Sequence, residues 1–170
     1  MTPLQKFNLW FTEPAKRIEK DGDAAFIVFI AAFSALERFI KSRMKAEKDL
    51  LGIRRMSKEQ KKEFFFILAA KTLGVEDLQL FKDFWHMYRD GLAHYFHPMI
   101  FERDGKQYGY EISGDFEELP VYHSYSDTTF SIRISPWKFA QRVAAIWQSR
   151  EDILNSLPQF PLGDIYQVSP

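Results

Sequence analysis

From Ala24 to Leu36 the chain is apolar almost without a break, and Glu37-Arg38 ends the run. Thirteen residues are too few to cross a bilayer, which takes about 20 in a helix. They are too many for an ordinary strand. A helix apolar nearly all round belongs inside a bundle, with other helices packed on it. The expected helix runs from about Asp23 to Lys48, and past Glu37 it turns amphipathic and basic.

The neighbouring segments supply such helices. Thr2-Pro3 opens one, with Leu4, Phe7, Trp10 and Phe11 at helical spacing and Pro14 placed to kink or split it. Asp21-Gly22-Asp23 reads as a turn, its last aspartate capping the long helix. Ser57 and Gln60 form a capping box ahead of Phe64–Ala70, and Gly74 suits the end of that helix. A fourth helix starts near Glu76-Asp77, carries Leu80, Phe81, Phe84, Trp85 and Tyr88, and must stop before Pro98.

The period then shortens. Asp104-Gly105 is a hairpin signal within Ile100–Ile112, Thr128–Ile134 alternates as a strand does, and Leu119–Tyr125 is ambiguous. Ser135-Pro136 caps a last helix reaching to about Leu157, and a proline-rich tail follows from Pro158. The expected fold is mainly α. It is one domain over residues 1–170, a bundle of about five helices with a small antiparallel β insertion at about 99–134 before the last helix. The length of 170 residues suits a single core.

Charge and composition remove several function classes. There is no cysteine, which excludes disulfides, thiolate catalysis and cysteine-bound metal. Phosphate-loop, dinucleotide, zinc-protease and nucleophile-elbow motifs are absent from the sequence. Residues 1–20 lack a basic stretch followed by an apolar run, so no secretory leader is expected and a cytoplasmic location is. The 23 basic and 23 acidic residues balance, but unevenly along the chain. Nine basic residues face three acidic ones between Lys41 and Lys62, whereas seven acidic face two basic between Glu102 and Asp127. The basic segment can attract a polyanion, with Lys41, Arg43, Lys45, Arg54, Arg55 and Lys58 as RNA-binding candidates. An ordinary solvated face carries the same pattern.

The groups best able to do chemistry are concentrated in Arg89-Asp90-Gly91-Leu92-Ala93-His94. An arginine offers a rigid fork of donors matched to phosphate oxygens, and a histidine can accept or donate a proton. On an ideal helix Asp90 and His94 share a face, so the carboxylate can orient the imidazole. Arg89 points about 140° away from His94 on the same helix. The two converge only if the arginine reaches round, the helix distorts near Gly91, or a twofold-related copy completes the site. His86, Asp90, His94 and His97 also fall at a spacing that suits a metal-binding stripe. Pro98 takes His97 off the helix, however, and a further ligand would have to come from elsewhere, with Glu37 the only suggestion.

In this helical setting the hexapeptide resembles the shared motif of the HEPN superfamily of small helical domains. That motif is an arginine, usually a polar residue, and a histidine four to six residues after the arginine. The resemblance covers roughly residues 20–97, with the apolar helix bearing Phe33, Ala35, Leu36, Glu37 and Phe39 similar to the family's core helix. It implies a metal-independent, cofactor-free endoribonuclease acting as a homodimer. His94 would be general acid or base on the ribose 2′-hydroxyl and the leaving oxygen, Arg89 would stabilise the phosphorane, and Asp90 would orient His94. The implied products are a 2′,3′-cyclic phosphate and a 5′-hydroxyl. RNA is the implied substrate, and a toxin–antitoxin or defence setting with an antitoxin or other partner protein is the implied context. Asp90 stands where asparagine is frequent, and its charge beside a phosphate costs affinity unless paired. That departure keeps open a non-catalytic HEPN-like module binding nucleic acid or protein.

Overall fold

The computed structural model describes residues 2–18, 24–50, 55–150 and 152–153. The expected turn at Asp21-Gly22-Asp23, the candidate Arg54 and the tail from Pro158 lie outside them. The fold is mainly helical with one small sheet. Helices α1 (Pro3–Phe7) and α2 (Glu13–Ile18) are joined by a π-helical turn, Asn8–Thr12. Helices α3 (Ala25–Leu50) and α4 (Lys58–Leu73) follow. Helices α5 (Leu78–Phe84) and α6 (Gly91–Tyr95) are joined by a second π turn, Trp85–Asp90, and α7 spans Pro136–Gln148. The helices outnumber the expected five because two continuous runs are each divided by a π turn.

Several starts and stops are those the sequence signals. Thr2 and Ser57 each make a full capping box, with Gln5 and Gln60. Gly74 ends α4 at φ 82°, a left-handed conformation that suits glycine. Asp77 caps α5 by accepting from Gln79 and Leu80 N–H. Pro14 acts one turn upstream of itself. It has no N–H, its ring crowds the carbonyl of the preceding turn, and the π turn there bonds Glu13 N–H to Asn8 C=O. Helix α7 stops at Gln148, short of the expected Leu157; Arg150 N–H tightens the end by bonding Trp147 C=O at 3.2 Å.

The long helix α3 is central, as its composition requires. Val28, Phe29, Ala32, Phe33, Leu36, Phe39 and Ile40 are buried. Phe29 and Phe33 join a ring cluster with Phe84, Tyr88 and Phe139, centroids 5.0–6.5 Å apart. Such pairs contribute about 0.5–1.5 kcal/mol each beyond the area they bury. Trp147 of α7 packs on Phe7 and Phe39, and its Nε1 donates to Ala35 C=O at 3.1 Å. Burial is not all round, however: Ile27, Ile30, Ala31 and Ser34 form an exposed stripe, with Ile27 64% exposed.

The insertion is a four-stranded sheet of β1 (Phe101–Arg103), β2 (Lys106–Ile112), β3 (Val121–Ser124) and β4 (Thr129–Ile134), ordered β1-β2-β4-β3. Asp104 (φ 52°) and Gly105 (φ 71°) make the expected two-residue turn, with both residues left-handed as a type I′ hairpin needs. The expectation of an all-antiparallel sheet is corrected. The two hairpins are antiparallel within themselves, but β2 and β4 pair in parallel. Parallel neighbours need a long crossover, and residues 113–128, which include β3 at the far edge, supply it.

The sheet is clamped to the α5–α6 rod. Tyr88 Oη sits between Ile132 C=O at 2.8 Å and Glu111 C=O at 3.1 Å, so one phenol is shared by β4 and β2. Buried Asp83 accepts from Arg103, Tyr122 and Gln79 Nε2, the last at 2.8 Å. The rod that carries the hexapeptide is thus fixed on one side by α3 and on the other by the sheet.

Candidate functional site

The hexapeptide straddles a change of helix type. Arg89 and Asp90 close the π turn, and Gly91 to His94 lie in α6. Gly91 N–H bonds the carbonyls of His86 and Tyr88 and passes over that of Met87. Met87 C=O instead accepts Met99 N–H at 2.8 Å. The chain beyond the helix therefore meets a carbonyl that the π turn leaves available. This return path also explains the glycine. A Cβ on Gly91 would lie 2.7 Å from His97 O, 2.8 Å from Met99 N and 3.0 Å from Pro98 Cα, all backbone atoms. The helix ends at Phe96, left-handed at φ 62°.

Arg89 is held on several sides. Its Nε and Nη2 donate to Glu37 Oε2 at 3.2 and 2.8 Å, and its Nη1 donates to Asp90 Oδ1 at 3.1 Å. Its guanidinium carbon lies 5.8 Å from the centre of the Trp85 ring. The other Glu37 oxygen accepts from Lys41 Nζ at 2.5 Å. Burial would raise the Glu37 carboxyl, but the bonds from Lys41 and Arg89 outweigh it and hold the group below its ordinary range. Burial likewise opposes the Arg89 charge, and the Glu37 and Asp90 carboxylates more than restore it. Three of the five guanidinium donors are engaged, and two carry no hydrogen bond among the described residues.

Asp90 does not orient His94. Its Oδ1 is bonded to Arg89, and its Oδ2 lies 3.6 Å from His86 Nδ1, within ion-pair range but too long for a hydrogen bond. The carboxylate looks back to the residue four before it, not forward to the residue four after. His94 is exposed and makes no hydrogen bond among the described residues; the Tyr95 ring is 6.4 Å from its own. No hydrogen bond joins Arg89 and His94 among the described residues. One copy thus presents a fixed, half-buried cation and an exposed imidazole five residues apart in sequence.

The remaining candidates divide. Lys41 is engaged by Glu37, and Arg43 by Glu47 at 2.6 Å and Thr72 at 3.1 Å. Lys45, Arg55 and Lys58 are exposed and carry no ion pair among the described residues. A groove of about 600 Å³ between α4, α5, the π turn and β1 has a mixed lining that includes Lys62, Glu63, Lys82, Trp85, Asp90 and Arg103. Arg89 and His94 are not among its lining residues. Among the described residues, no three of the histidines, aspartates and glutamates come together as a metal would require, and His97 Nδ1 sits 2.8 Å from Pro98 O.

Sequence reasoning missed the role of Glu37. It lies 52 residues from Arg89, and the signal available was slight, a carboxylate closing an apolar helix face four residues before Lys41. Trp85 beneath Arg89 was more accessible, being four residues earlier on one helix. No protein-family model matches the chain, and no curated protein or solved structure matches it either.

Proposed function

We propose that the chain is a metal-independent endoribonuclease of HEPN type, serving as a toxin or defence effector. The observation that carries the reading is the pairing of a rigidly held arginine with an exposed, unbonded histidine at one helix end. Arg89 supplies two unused donors to a phosphate oxygen as charge builds in the phosphorane. His94 takes the 2′-hydroxyl proton, or gives one to the leaving 5′-oxygen. Attack of that hydroxyl on phosphorus forms the 2′,3′-cyclic phosphate as the bond to the 5′-oxygen breaks.

The separation of the two groups supports a homodimer in which the motifs of two copies face each other. The exposed stripe Ile27, Ile30, Ala31 and Ser34 runs along α3 toward Glu37, and apolar surface there suits a second copy. Lys45, Arg55 and Lys58 supply free charge for the RNA backbone.

The test is incubation of the wild type, Arg89→Ala and His94→Ala with total RNA in EDTA. Cleavage by the wild type alone, leaving 5′-hydroxyl ends, is the expected result. Equal cleavage by His94→Ala, or cleavage that EDTA abolishes, refutes it. One observation favours a second reading, a non-catalytic module for nucleic acid or protein: Glu37 and Asp90 already occupy three of the Arg89 donors. Salt-dependent RNA binding without cleavage would select that reading.

A further inference from the structure

Immediately after His94 the chain displays two aromatic rings that the hydrophobic core does not use. Tyr95 is 58% exposed and Phe96 is 82% exposed. Phe96 is also left-handed at φ 62°, a conformation unfavourable for a bulky side chain and easy for glycine or asparagine. A residue chosen only to end the helix would be one of those two. The fold thus accepts backbone strain at Phe96 and gains almost no burial for it. The surroundings narrow the occupant. His94 and His97 flank Tyr95, with ring centroids 6.4 and 6.3 Å away. From Gly91 to Phe101 the sequence contains no carboxylate.

Flat faces beside imidazoles, in a segment free of negative charge, fit a nucleobase on a polyanionic strand. We propose that Tyr95 and Phe96 form a stacking platform for unpaired bases next to the phosphate held at Arg89 and His94, so that the substrate is single-stranded RNA. This rests on the ribonuclease reading of the same site. Bases in a duplex already stack on each other and cannot lie on the rings, so the platform selects against paired RNA. Stacking is indifferent to base identity, which predicts weak sequence preference.

The experiment compares full-length protein binding to a labelled single strand and to its duplex, both fully 2′-O-methylated so that neither is cleaved. Tyr95→Ala/Phe96→Ala should weaken single-strand binding by roughly 5- to 100-fold. Duplex binding and the salt dependence, set by phosphate contacts, should stay as they are. Phe96→Asn serves as the check on folding: it should keep or raise the melting temperature and still weaken single-strand binding. Unchanged single-strand affinity in the double variant, with cleavage intact in the wild type, overturns the platform and leaves the catalytic reading standing. If the double variant instead falls from dimer to monomer in sedimentation, the rings belong to a protein interface and the platform is overturned. Absence of both binding and cleavage in the wild type removes the catalytic reading, and the platform with it.

Discussion

Replacing Gly91 by alanine separates what this residue does for the helix from what it does for the fold. In an exposed helix interior, Gly→Ala stabilises by up to about 1 kcal/mol, because glycine loses more backbone freedom on folding. Gly91 has an ordinary helical φ of −57°, so an alanine there suffers no dihedral strain. The cost is contact. Three backbone atoms of residues 97–99 lie 2.7–3.0 Å from the new Cβ, and backbone cannot swing aside as a side chain can. Overpacking of this kind costs about 1–3 kcal/mol. If the returning strand moves off, the 2.8 Å bond from Met99 N–H to Met87 C=O is weakened as well, at about 1 kcal/mol. The balance is a loss of about 2 kcal/mol, or about 4–8 °C in melting temperature for a chain of this size. Urea denaturation followed by circular dichroism measures it. Gly114→Ala is the comparison, since its nearest neighbour is the Trp137 ring at 4.0 Å and its stability should hardly change. A Gly91→Ala protein as stable as the wild type, or more so, would refute the view that the close approach of residues 97–99 is what demands glycine.

Other perturbations test the surroundings. Glu37→Gln keeps an oxygen acceptor for Arg89 but removes the negative charge; it should cost about 1 kcal/mol of stability and steepen the salt dependence of RNA binding by about one ion. An unchanged salt slope would show that Glu37 does not neutralise Arg89. Tyr88→Phe removes the hydroxyl shared by the Glu111 and Ile132 carbonyls and should lower the stability by about 1–2 kcal/mol, read as a lower urea midpoint. At acid pH the leading group is Glu111. Burial would raise its carboxyl, but Ser131, Tyr125 and Arg133 bring it down to about 2 from 4.5. With the folded value depressed, its contribution is full above pH 4.5 and fades as pH falls toward 2. Glu111→Gln should therefore flatten the loss of stability over that interval, and an unaltered acid limb would count against the pairing.

What the sequence disclosed and what it hid follow from the range of the interactions. Ser57 with Gln60, Gly74, and Asp104 with Gly105 act within four residues, and each does what its local chemistry predicts. Pro14 was legible as a disturbance but not as a π turn, since a missing N–H and a steric clash can be relieved in more than one way. The π turn at Trp85–Asp90 has no comparable local signal, because its freed carbonyl is met by Met99, twelve residues on. The parallel pairing of β2 with β4 was hidden for a similar reason: each hairpin is a local structure, but which strand docks on which is decided by the surface beneath them. At the site, the helix period could not foresee Glu37, whose partner lies on another helix.

Asp90 changes meaning once its neighbours are known. On the sequence alone its charge looks like a liability beside a phosphate. In the fold that charge is shared with Arg89 and lies near His86, and Glu37 is balanced by Lys41 as well as by Arg89. Two carboxylates thus stand against two cations, and the cluster is neutral rather than acidic. A neutral cluster binds phosphate through the directions of its remaining donors more than through net charge, which suits an arginine fork fixed in place. On the ribonuclease reading, attraction for the polyanion would then fall to exposed Lys45, Arg55 and Lys58. Substituting those lysines and that arginine should then weaken RNA binding without regard to sequence, whereas Arg89 should matter most at the step in which charge builds on phosphorus.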